Sequence, residues 1–139
     1  MLGVILTAHA SYATGVYSGV KLITGGSENV RVVDFTGDNL DDYDNKLKEA
    51  IDELLNKYDS LIIATDLAGG TPFNRSVILT SDMENVEVLS GLNFQMAYEL
   101  AFSESNIDDT IDSAITSAKE GILKYETPKQ SDEDFEDGI

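Results

Sequence analysis

The chain carries one histidine, His9, standing where the apolar run of residues 2–8 gives way to small residues. Asp66 follows a second apolar run, residues 60–65, in the stretch IIATDLAGGTPFN. A carboxylate bonded to one imidazole nitrogen fixes the tautomer and leaves the other nitrogen as a lone-pair nucleophile. It also stabilises the cation formed when that nitrogen is substituted. Behind Asp66, Gly69-Gly70-Thr71-Pro72 joins a strand to a helix. Glycines allow close backbone approach, Pro72 suits a first helical turn, and the free amides of a helix start attract anions. Thr71 adds a hydroxyl, so Gly69, Gly70 and Thr71 are the expected phosphate-binding residues. Ser90-Gly91-Leu92-Asn93 offers another small-residue turn.

Taken singly, these features are bland. A lone loop histidine is commonly a surface residue, Gly-Gly is commonly a turn, and an aspartate at a strand end is often a cap. Together they supply an imidazole, an orienting carboxylate and an anion cradle. The chain has no cysteine nucleophile and no Gly-rich Walker pattern with lysine. What is left is a histidine poised to carry a phosphoryl group.

These residues meet only if the fold brings their strands together. Residues 2–8, 30–35 and 60–65 are short, nearly continuous apolar runs, as expected for strands covered on both faces, and 86–90 is a weaker fourth. Over residues 40–57, Leu40, Tyr43, Leu47, Ile51, Leu54 and Leu55 recur at helical spacing, with Asp38 or Asn39 as the cap. Residues 12–23, 73–81, 93–103 and 107–118 also read as helices. Strands alternating with helices predict an α/β fold, a doubly wound, mainly parallel sheet with helices on both faces. Ligands gather outside the carboxyl ends of such strands, where His9 and Asp66 both fall. Residues 122–125 follow Gly121 as a short final strand, with no helix-length crossover to return the chain. It is expected at an antiparallel edge or in a neighbouring subunit.

Composition narrows the partners. The 139 residues suit one compact domain, and 42% hydrophobic content argues against wholesale disorder. Without cysteine, disulfides and thiolate chemistry are excluded, and one histidine leaves no His-based metal cluster. The apolar residues 1–6 are too short for a signal peptide or a membrane span, so a cytoplasmic location is expected. The net charge is −17, from 26 acidic and 9 basic residues. Such a field repels nucleic acid and anionic lipid and favours a protein partner with a basic face. Residues 126–139 hold Glu126, Asp132, Glu133, Asp134, Glu136 and Asp137 against Lys129, and are expected to form a disordered, solubilising tail.

Over residues 1–125 the sequence resembles the enzyme IIA component of the mannose-class phosphoenolpyruvate:sugar phosphotransferase system. The resemblance rests on the N-terminal strand leading into TAH, on DLAGGTPFN at 66–74 and on SGLNFQM at 90–96. It implies that His9 is phosphorylated, on Nε2, and that Asp66 holds Nδ1. It implies transfer from the phosphocarrier protein HPr to a IIB component, which serves the IIC/IID membrane components, with no metal or organic cofactor. The transported sugar stays unspecified, because specificity belongs to the membrane components. Where the best-known members carry tryptophans, this chain has Ser11 and Ala68, which with Phe73 are the expected docking positions. The resemblance further implies a homodimer that exchanges its last strand. Two alternatives stand beside it: a phosphotransfer domain serving dihydroxyacetone kinase, which shares the fold and an N-terminal histidine, and a regulatory module sensed through His9 phosphorylation. The GGTPF loop disfavours the first; the second usually accompanies ATPase or DNA-binding parts that this chain does not carry.

Overall fold

The computed structural model describes residues 1–129. Four strands, β1 (Gly3–His9), β2 (Val30–Phe35), β3 (Leu61–Thr65) and β4 (Val86–Leu89), form one parallel sheet in the order β2-β1-β3-β4. Five helices accompany them: α1 (Tyr12–Thr24), α2 (Leu40–Leu55), α3 (Thr71–Leu79), α4 (Phe94–Phe102) and α5 (Ile107–Glu120). This is the α/β, helix-on-both-faces arrangement expected from the alternation.

The two-residue period of β1 and β3 divides the core. Val4, Leu6 and Ala8, with Ile62 and Ala64, pack with α1, α4 and α5. Ile5, Leu61 and Ile63 pack on the other face against Leu47, Ile51 and Leu54 of α2. Those three helix residues are almost fully buried, and each contributes about 1.5–3 kcal/mol relative to an exposed side chain. Leu40 departs from the expected apolar stripe: it begins the helix and is exposed. Asn39, not Asp38, is the cap, its side chain accepting from the Asp42 amide at 3.0 Å. Helix α3 starts two residues earlier than periodicity predicts, because Pro72 fits its first turn and Gly70 ends the preceding extended segment.

The expected strand at 122–125 does not form within the chain. After Gly121 the backbone has no regular structure through residue 128, and Ile122 and Leu123 are 78% and 77% exposed. A strand needs a neighbouring edge to satisfy its amides, and among the described residues β4 pairs only with β3. Of the expected disordered tail, residues 130–139 lie outside the described residues.

Candidate active site

Strands β1 and β3 are neighbours, in register Thr7↔Thr65. His9 ends β1 and Asp66 directly follows β3, so the topology sets both on the carboxyl rim of the sheet. Asp66 Oδ2 accepts from the His9 backbone amide at 3.1 Å and lies 2.8 Å from His9 Nδ1. An ionised carboxylate only accepts, so this contact places the ring proton on Nδ1 and the lone pair on Nε2. The His9 side chain is 45% exposed and that of Asp66 19%. The carboxylate is sheltered while the imidazole stays accessible to another protein.

Burial pushes the Asp66 carboxyl upward, but bonds from the His9 ring and the His9 amide outweigh it and hold the pKa below its ordinary 3.8. The Leu67 amide acts in the same direction. The buried Oδ1 has no hydrogen-bond partner among the described residues. Asp66 is therefore ionised at neutral pH. Its contribution to stability is complete above pH 3.8 and is lost as pH falls through the depressed value.

The two glycines behind Asp66 do different work. Gly69 has φ +84°, a left-handed conformation that glycine adopts without strain, and the space beside it is open. Gly70 has an ordinary backbone, with φ −73°, but a Cβ there would stand 2.8 Å from His9 Cε1 and 3.5 Å from Nε2. Gly70 thus lets the backbone lie against the Cε1–Nε2 edge of the imidazole. Its own amide donates to Leu67 O at 3.0 Å.

Helix α3 begins directly behind this contact. Asn caps head α2, α4 and α5, whereas α1 and α3, the helices that start beside His9 and Gly70, have no side-chain cap bond. At α1, the Thr14 amide is taken by Asp34 Oδ1 at 3.3 Å. At α3, the first turn leaves the Thr71 and Phe73 amides as donors, Pro72 having none. Asn74 pins the loop by donating to Gly69 O at 3.0 Å. The turn of the chain after His9 is tight: Ala10 has φ +51°, the one non-glycine left-handed residue among those described. Such a conformation costs about 1–3 kcal/mol and persists where the surroundings enforce it. Here the Ala10 amide is held by Phe35 O at 2.7 Å.

The third turn also reaches the rim. The Gly91 amide donates to Asp66 O at 3.0 Å, and the Leu92 amide to Thr65 O at 2.9 Å. The expected docking residues Ser11 and Ala68 are exposed near His9, and Phe73 is half-buried. Leu67, Tyr12 and Asn74 are among the residues that the sequence did not single out. Leu67 and Tyr12 are exposed apolar neighbours of the site, and the Tyr12 hydroxyl donates to Leu92 O at 2.6 Å. Asn74 was visible only as the last letter of a motif. Among the described residues no cluster of acids and histidine could hold a metal ion, and no helix is long and apolar enough to cross a membrane.

Fold and rim together define a four-strand parallel α/β domain with a histidine–aspartate pair at the carboxyl ends of its strands. Comparison with known proteins gives the family. The model of the family described as "PTS system fructose IIA component" matches residues 3–116, and the chain belongs to that family of phosphotransferase components. The chain is similar to the sorbose-specific EIIA component of Lacticaseibacillus casei, 32% identical over 105 residues, covering 75% of each chain. It is 26% identical over 128 residues to the mannose-specific EIIAB component of Escherichia coli, covering 87% of this chain but only 38% of that longer protein. Among solved structures, a phosphotransferase system component EIIA from Streptococcus agalactiae superimposes with TM-score 0.77 at 33% identity, covering 89% of this chain and 97% of that one.

Proposed function

We propose that His9 is the phosphoryl carrier of a sugar uptake system, taking phosphate from phospho-HPr in the cytoplasm and passing it to a histidine of IIB. The single observation that supports this most is the 2.8 Å contact between Asp66 Oδ2 and His9 Nδ1, which leaves Nε2 bare. The Nε2 lone pair attacks phosphorus as the P–N bond of the donor phosphohistidine breaks. The donor nitrogen leaves with that electron pair. Positive charge gathers on the His9 ring and is offset by Asp66 through Nδ1–H. The Thr71 and Phe73 amides and the Thr71 hydroxyl hold phosphoryl oxygens at the start of α3. In the return step an IIB imidazole attacks the same phosphorus, and His9 leaves as the neutral ring. The carrier itself needs no metal or organic cofactor.

Asp66→Asn tests the pairing. The amide can present an N–H to Nδ1 and favour the wrong tautomer, so transfer from phospho-HPr should slow by at least about tenfold while the fold is kept. An unchanged rate with unchanged His9 ring signals in NMR would show the contact to be incidental.

The proposed assembly is a homodimer in which residues 121–125 of each chain add to the β4 edge of the other. Two observations support it: that edge is unpaired among the described residues, and a groove of ≈ 380 Å³ beside it is lined by Phe73, Val88, Met96, Ile115 and Ile122. A donated Ile122 or Leu123 would find apolar cover there, and the β4 amides would find partners. Truncation before Gly121 should convert dimers to monomers or aggregates in sedimentation. A truncated protein that stays dimeric would refute the exchange.

A further inference from the structure

We infer that Phe35 is a positioning residue for His9, fixing the tilt of the imidazole that Asp66 alone leaves free. This rests on His9 being the phosphoryl acceptor, but the ring geometry it concerns can be read without any phosphate transfer.

His9 and Phe35 are register partners on β1 and β2, and register partners on parallel strands send their side chains to the same face. Their rings meet edge to face, centroids 5.9 Å apart and planes at 75°. This is the arrangement that aromatic quadrupoles favour. Phe35 is itself held. Tyr43 of α2 meets it edge to face at 5.1 Å, and the Tyr43 hydroxyl is bonded to Thr7 Oγ1 at 2.6 Å. Thr7 lies two residues before His9 on the same strand. The chain of contacts Thr7–Tyr43–Phe35–His9 therefore closes on β1.

Burial pushes the Tyr43 hydroxyl up to about 12, so it keeps its proton and its bond to Thr7 across the whole neutral range. The Phe35 carbonyl also holds the Ala10 amide, tying the strained residue after His9 to the same position. A hydrogen bond at Nδ1 fixes one atom of the imidazole but permits the ring to swing about it. Phe35 and the Gly70 backbone are the further contacts that aim Nε2 outward. In-line transfer depends on that aim, because the acceptor lone pair must face phosphorus along the axis of the breaking bond.

The test compares Phe35→Leu with Phe35→Tyr in the full chain. Phospho-HPr-dependent phosphorylation kinetics are read beside ¹⁵N NMR of the unphosphorylated His9 ring. In Phe35→Leu, kcat should fall about three- to tenfold with little change in KM, as expected for loss of one edge-to-face contact. The ring nitrogens should shift and broaden. Phe35→Tyr keeps the aromatic contact and should restore both. Tyr43→Phe, which removes only the hydroxyl bond to Thr7, should move the ring signals in the same direction by less, and serves if Phe35→Leu does not fold. The inference is overturned by unchanged ring signals and kcat in the folded variants, by a change confined to KM, or by equal losses in Phe35→Leu and Phe35→Tyr. If the wild type takes up no phosphate at all, the carrier reading fails, while the ring signals still decide the role of Phe35.

Discussion

His9→Ala is expected to abolish phosphate uptake from phosphoenolpyruvate, enzyme I and HPr completely, with the fold intact. The sequence has no second histidine and no cysteine to inherit the phosphoryl group. The side chain is half exposed and outside both apolar clusters, so its removal opens no core cavity. The structural cost is the bond to Asp66, about 1–2 kcal/mol for a carboxylate that keeps its backbone partner. Retained label in a variant with wild-type circular dichroism would move the acceptor to another residue.

Gly70→Ala should slow transfer strongly without abolishing it, for a steric reason. The new methyl would stand 2.8 Å from His9 Cε1, closer than such atoms approach, and the imidazole cannot simply turn aside without losing Asp66. Displacement by a fraction of an ångström to one ångström at a reacting atom costs up to about a hundredfold in rate. The backbone φ of −73° suits alanine, so the loss of stability should stay within about 1–2 kcal/mol, the value of the His9–Asp66 bond. Gly69→Ala supplies the contrast. Its φ of +84° strains any side chain, but the space around it is open. That variant should lose about 1 kcal/mol of stability and retain more of its transfer rate. Single-turnover rates and melting temperatures of the pair separate space from conformation. A wild-type rate in Gly70→Ala would mean that the loop retreats without cost.

Much of this site was legible in sequence because its parts sit where local signals are strongest. The strands that lead to His9 and Asp66 are nearly continuous apolar runs ending in small or polar residues, and α2 shows its six-residue stripe with one misfit at Leu40. That β1 and β3 are adjacent was a condition the residues could not supply, since β2 and α2 intervene in the chain. The Phe35 contact was invisible for a related reason. It depends on the register of β1 against β2, and register emerges from packing on both faces of the sheet. The separate roles of Gly69 and Gly70 likewise need φ and distance, not residue type. Residues 122–125 read as a strand because Ile122, Leu123 and Tyr125 are strand-favouring residue types, whereas a strand forms only where an edge receives it.

The central claim is that His9 Nε2 carries the phosphate while Asp66 holds Nδ1. The measurement that tests it most directly is ¹⁵N and ³¹P NMR of the wild-type protein, labelled at its single histidine, after phosphorylation through HPr. The account predicts one phosphorus resonance coupled to Nε2, with Nδ1 protonated and acid lability typical of a phosphohistidine. A phosphate coupled to Nδ1, or phosphorus on a residue other than His9, would contradict it.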